Sequence, residues 1–140
     1  MARQQWGTIM YRRILVPVDG SASSMLGLRH ALGLAKDQHA RVRLLNVLDE
    51  MAVLPMMYGY PADIGTVLES MRAAGKKAID EGSELARKAN VEADTALVEA
   101  HGRVVSKAIL DQAKKFHADL IVMGTHGRRG LNRMILGSDA

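Results

Sequence analysis

The 140-residue chain has no cysteine. That excludes a disulfide framework, a thiolate metal site and a thiol nucleophile. Aromatic residues make up only 4%, with one Trp (Trp6), one Phe (Phe116) and three Tyr. A single-stranded nucleic-acid binder spends aromatics on stacking bases, so that class recedes. Long hydrophobic runs are missing as well. The longest near the start, Ile14-Leu15-Val16-Pro17-Val18, meets Asp19 at once and is too short for a signal peptide or a membrane span. These absences point to a cytoplasmic protein whose partners are neither membrane nor nucleic acid. Excess charge of one sign is small, at +4, which fits an anionic ligand as well as a surface without a partner. With 48% hydrophobic and 24% charged residues, disorder is excluded. The length suits one domain that buries roughly two thirds of its unfolded surface.

Residues 1–10 have no clear period and read as a leader, so the domain is expected over 11–140. Arg13 to Val18 is a short apolar run ending at Asp19-Gly20-Ser21, a buried strand and a turn. From Ser23 to Asp37, Met25, Leu28, Leu32 and Ala35 mark one helical face. Val42 to Leu48 is a second strand with little alternation, the pattern of a strand covered on both faces. Asp49 to Ala62 reads as irregular. Asp63 is the expected cap of a long helix reaching about Asn90, with Val67, Met71, Ala74, Ala78, Leu85 and Ala89 inward. Gly75 and Gly82 should weaken it by roughly 1 kcal/mol each relative to Ala. Glu92 to Ala100 is a third strand. Arg103 to His117 is a helix with Val105, Ile109, Ala113 and Phe116 on one side. Asp119 to Met123 is a fourth strand, followed by a loop rich in Gly and Arg. Strands alternating with helices give an α/β fold, an open parallel sheet with helices on both faces. Ligands of such sheets bind beyond the carboxyl ends of the strands, where the strand order reverses. The loops after Val18, Leu48 and Met123 are therefore the places to look.

The segment from Gly124 to Ser138 is the most informative. Gly124 and Gly127 let a backbone approach a ligand closely, and Gly137-Ser138 reads as the start of a helix. Free N–H groups at a helix start, with a hydroxyl and the nearby His126, Arg128, Arg129 and Arg133, suit a phosphate. The plainer reading is a surface loop with solvated arginines. The Lys-Ser/Thr of a Walker A loop is lacking, and so is the G-x-G-x-x-G of a dinucleotide fold, because the first strand ends in Asp-Gly-Ser. Asp19 closes that strand. Its carboxylate could accept a ribose hydroxyl or help hold a divalent cation. It could equally be a turn-forming Asp-Gly, with Ser21 or Ser23 capping the next helix.

Three separated motifs fall at strand ends in a definite order. They are Val16-Pro17-Val18-Asp19-Gly20-Ser21, Asn46-Val47-Leu48-Asp49-Glu50 and Gly124-x2-Gly127-x9-Gly137-Ser138. Together they resemble the universal stress protein family, in its ATP-binding branch, over roughly Tyr11 to Ala140. The resemblance implies a Rossmann-like sheet of order 3-2-1-4-5. It implies ATP with Mg²⁺ or Mn²⁺, and a homodimer. Asp19 would lie near ribose, phosphates and metal. Pro17 and Val18 would line the adenine pocket, and Val47 would meet the base through its backbone. Met123 and Gly124 would flank adenine and ribose, while Gly127, Gly137 and Ser138 would hold the phosphates. The chain stops four residues into the family's last helix, so its fifth strand is missing and the domain is expected to be C-terminally incomplete.

Other signals are weaker. His101 and His117 have no metal-ligand spacing, and with His30 and His39 they read as surface residues. Lys76-Lys77 and Lys114-Lys115 belong on outer helix faces. The apolar stretch Met51 to Tyr60 is either a lid, a partner surface or packing for the long helix. No nucleophile–base pair stands out. The expected function is thus an ATP-binding stress-response regulatory protein that signals through its bound state to a protein partner. The alternatives are a slow ATPase or autokinase and an interaction module without nucleotide.

Overall fold

The computed structural model describes residues 10–58 and 63–125. Four strands, β1 (Arg13–Pro17), β2 (Arg41–Leu48), β3 (Ala93–Glu99) and β4 (Leu120–Ile121), form one parallel sheet of order β3-β2-β1-β4. Helices α1 (Ala22–Gln38), α3 (Ile64–Lys88) and α4 (Val105–Phe116) join them. A 3-10 turn (Glu50–Val53) and the single-turn α2 (Leu54–Met57) follow β2. The expected strand order is found as far as the described residues reach.

The two inner strands are covered on both faces, as their unalternating sequence requires. Ile14, Leu15, Val16, Val42, Leu44 and Leu45 are all nearly inaccessible. One face packs Ile14, Val16, Val42 and Leu44 against Leu28, Leu32 and Ile79 of α1 and α3. The other packs Leu15 and Leu45 against Ile109 and Ala113 of α4. Each such Leu or Ile contributes roughly 1.5–3 kcal/mol by leaving water. β4 is shorter than its sequence suggests. Its pairing continues as far as the Val122 N–H, which donates to the Leu15 carbonyl at 3.0 Å. Asp119 anchors its start by accepting from the Arg12 N–H at 2.9 Å.

Local chemistry sets the helix ends. The Ser21 hydroxyl accepts from the Ser24 N–H at 3.2 Å and caps α1; the Asp63 carboxylate accepts from the Gly65 N–H at 3.0 Å and caps α3. The inner face of α3 meets expectation in part: Ala78 is buried, and Leu85 and Ala89 pack half-buried against the core. Its buried residues are Gly75, Ala78, Ile79, Gly82 and Ala86, whereas Ala74 is exposed and Val67, Met71, Leu85 and Ala89 are only half-buried. The glycines are the reason. A Cβ on Gly82 would sit 3.1 Å from both Leu28 Cδ2 and Leu44 Cδ1, so the helix lies close against the core at positions that carry no hydropathy signal.

Arg43 shows how a charge is kept on a sheet face. Its guanidinium grips Asp94 through Nε and Nη2 at 2.7 and 2.8 Å and lies 4.4 Å from the Phe116 ring centroid. The bonds from Arg43 outweigh partial burial and hold the Asp94 carboxyl below its ordinary value.

α1 and α4 end on left-handed residues, His39 (φ 54°) and His117 (φ 55°), where a glycine is free of Cβ strain. Both side chains are exposed. His117→Gly is therefore expected to stabilise the fold by about 1 kcal/mol, read as a rise in the chemical-denaturation midpoint at unchanged slope. A fall in the midpoint would contradict this account of the cap.

Candidate functional site

β1 is the point where strand order reverses, since β2 follows on one side and β4 lies on the other. A cleft opens there, at the carboxyl ends of the strands, enclosing about 160 Å³. Its wall is built by β1, the β1–α1 turn, β2, α4 and the residues after β4.

The β1–α1 turn is self-locked. Pairing runs one residue past β1, with the Val18 N–H donating to the Leu45 carbonyl at 2.8 Å. Gly20 then takes a positive φ of 81°. The Asp19 Oδ1 accepts from the Ser21 N–H at 2.8 Å, and the Asp19 N–H donates to the Ser24 hydroxyl at 3.3 Å. Asp19 therefore is the turn-former of the plainer reading, and it also stands at the mouth of the cleft. Partial burial opposes its charge, but hydrogen bonds from Ser21 and Ser24 outweigh that and hold its carboxyl below the ordinary value. It is an anion at neutral pH. The first turn of α1 beside it carries no acidic residue, so its positive dipole end faces the cleft unneutralised from within the helix.

The second wall approaches very closely. A Cβ on Gly124 would lie 2.5 Å from the Ser23 carbonyl carbon and oxygen and 2.7 Å from the Ser24 nitrogen. A Cβ on Gly27 would lie 3.1 Å from the Gly124 nitrogen. Gly124 is thus required for backbone-to-backbone contact with α1. That is a different reason from the ligand approach its sequence suggested.

Six of the nine residues implied at the site come together here: Pro17, Val18, Asp19, Val47, Met123 and Gly124 all line the cleft. Gly127, Gly137 and Ser138 lie outside the described residues, as do His126 and the arginines after it. Ser24, Asn46, Val105 and Ile109 also line the cleft and were not assigned to it from sequence. Asn46 did leave a signal, as the polar interruption of Leu44-Leu45-Asn46-Val47-Leu48. Val105 and Ile109 were legible only as an inward helix face. Asp19 is the one ionisable residue among the described lining residues.

A separate cluster sits beyond β2 and β3. Glu50, Glu99 and His101 present ligand atoms within 4.8 Å of one another. Each carboxylate is already engaged: Glu99 accepts from Arg72 at 2.8 Å, and Glu50 accepts from the His101 N–H at 3.0 Å. We read the cluster as a brace for the left-handed turn at His101 and Gly102. The described part of the nearby apolar stretch touches α3 through the 3-10 turn and leaves other side chains exposed. Val53 is buried, but Met51, Leu54 and Tyr58 are exposed.

Comparison with known proteins agrees with this fold. The model of the universal stress protein family matches residues 10–140. Universal stress protein MJ0531 of Methanocaldococcus jannaschii is 36% identical over 136 residues, covering 96% of this chain and 76% of the relative. Universal stress protein YxiE of Bacillus subtilis is 33% identical over 134 residues, covering 92% and 88%. The crystal structure of a universal stress protein family member from Burkholderia pseudomallei superposes with a TM-score of 0.72 at 33% identity, over 84% of this chain and 83% of that one. The chain belongs to the universal stress protein family.

Proposed function

We propose that this universal stress protein holds an adenine nucleotide, ATP with Mg²⁺ or Mn²⁺, and regulates a protein partner through its bound state. The observation that carries this reading is the meeting of Asp19 with Pro17, Val18, Val47, Met123 and Gly124 around one cleft. An apolar slot with a few polar groups at its mouth suits a purine joined to a polar tail. Val47, Leu45, Val105 and Ile109 supply the apolar part. Asp19, as an anionic oxygen donor, suits ribose hydroxyls or a hard divalent cation. By resemblance, Gly127, Gly137 and Ser138 complete the phosphate side.

Two solved structures of the same fold add support. One is a universal stress protein in complex with cAMP, with a TM-score of 0.58 and 20% identity. The other is a family protein from Arabidopsis thaliana with AMP bound, with a TM-score of 0.60 and 16% identity. At such identities they speak for what the fold can accommodate.

Binding is favoured over catalysis. Hydrolysis needs a positioned water and a group to take its proton. Among the described lining residues only Asp19 is ionisable, and its carboxyl, held below the ordinary value, is a weak proton acceptor. No helix among the described residues is long and apolar enough to cross a membrane. A cytoplasmic homodimer is our reading of location and assembly. Mass spectrometry of the denatured purified protein tests the pocket. Released ATP or AMP is expected; a nucleotide-free protein that also fails to bind added ATP overturns the proposal.

A further inference from the structure

Asn46 is the buried polar side chain of the central strands, only 8% exposed. An amide in such a place costs free energy unless it is hydrogen-bonded. Its Nδ2 donates to the Val18 carbonyl at 2.8 Å, at the residue that immediately precedes Asp19. Its other face meets α3 at Gly75. A Cβ on Gly75 would lie 2.2 Å from Asn46 Oδ1 and 2.9 Å from Cγ, so only glycine leaves room for the amide. Glycine inside a 25-residue helix is otherwise a disadvantage of about 1 kcal/mol relative to Ala. One turn further along α3, Ala78 packs near the same β1–α1 turn, 3.6 Å from where a Gly20 Cβ would stand. Two successive turns of α3 therefore brace the segment from Val18 to Gly20, one of them through Asn46.

We propose that Asn46 is a positioning residue for the nucleotide pocket. It fixes the Val18 carbonyl and with it the Asp19 turn, and Gly75, which lines no part of the cleft, is the gap that admits it. The effect on nucleotide rests on the function proposed above; the positioning of the turn does not. In consequence, a change on α3 outside the cleft alters the ligand site.

Three variants separate positioning from packing: Asn46→Ala, Gly75→Ala and the two combined. Gly75→Ala is expected to lower both melting temperature and affinity for Mg-ATP, because its methyl displaces the amide from Val18. In the combined variant that methyl enters space vacated by the amide, so the melting temperature recovers toward the parent. Affinity does not recover. It stays about tenfold below the parent, equivalent to ~1.4 kcal/mol. The Ser21 amide, which donates to Asp19 Oδ1 in the parent, exchanges its hydrogen faster. A combined variant that regains affinity along with stability, and whose Ser21 amide exchanges as slowly as in the parent, overturns the proposal. A parent protein that binds no ATP overturns the nucleotide reading instead, and the exchange of the Ser21 amide then decides whether Asn46 positions the turn.

Discussion

Gly124→Ala is expected to cost about 3 kcal/mol, the upper end of what overpacking costs. For a chain of this size that is a fall of about 10 °C in melting temperature. The added methyl would meet the Ser23 and Ser24 backbone at 2.5–2.7 Å, and backbone at the start of a helix cannot rotate aside as a side chain can. The damage should spread to the cleft, since Ser23, Ser24 and Gly124 are all part of its wall. Gly33→Ala is the matched control. It lies on the exposed side of α1, where an added Cβ meets nothing within 4 Å. There the helix propensity of alanine should stabilise by about 1 kcal/mol. Thermal denaturation of the two variants side by side decides the point. Equal melting temperatures would contradict the close approach of Gly124 to α1.

The second large effect is expected at Asp19. Removing its carboxylate as Asp19→Ala should weaken Mg-ATP binding by about 2–3 kcal/mol, the range of a hydrogen bond to a charged group. That is roughly a 30- to 150-fold loss, measurable by calorimetry. The pH dependence of stability has a defined sign. The native carboxyl lies below the ordinary 3.8, so its stabilising contribution is complete above that value and is lost as pH falls through the lower native one. Asp94, Glu50 and Glu84 are shifted the same way, so the acid limb of the parent alone does not isolate Asp19. The difference between the parent and Asp19→Asn does. That difference should be constant well above the ordinary value of 3.8 and shrink as pH falls through it. A difference that grows on acidification would show that the turn does not favour the charged form.

Much of this fold could be read from residue order, because the signals that make it are apolar and periodic. Leu15 and Leu45 are buried on one face and Val16 and Leu44 on the other, as runs without alternation demand. The caps at Ser21 and Asp63 were readable because a hydroxyl or carboxylate just before an apolar period has a specific job. Part of the inner face of α3 is hidden in the sequence for the converse reason. Gly75 and Gly82 do their packing by having no side chain, so a search for hydrophobic periodicity passes over them. The site shows the same division. Asp19 and Val47 belong to motifs at strand ends, where topology places ligands. Val105 and Ile109 reach the cleft from α4, and nothing local in their sequence distinguishes a pocket wall from ordinary core. Asn46 lay inside a quoted motif, yet its task depends on Gly75, 29 positions away, and such a pairing has no sequence period.

By the family resemblance, the β1–α1 turn and the glycines that follow β4, Gly127 among them, would make a triphosphate cradle. Its most direct test is the melting temperature of the parent and of Gly127→Val with and without Mg-ATP. At a hundred times the dissociation constant, ATP should add about 2.7 kcal/mol to the parent. The shift should vanish in Gly127→Val, where a side chain would take phosphate space. No shift in the parent, or the same shift in both proteins, would contradict the account.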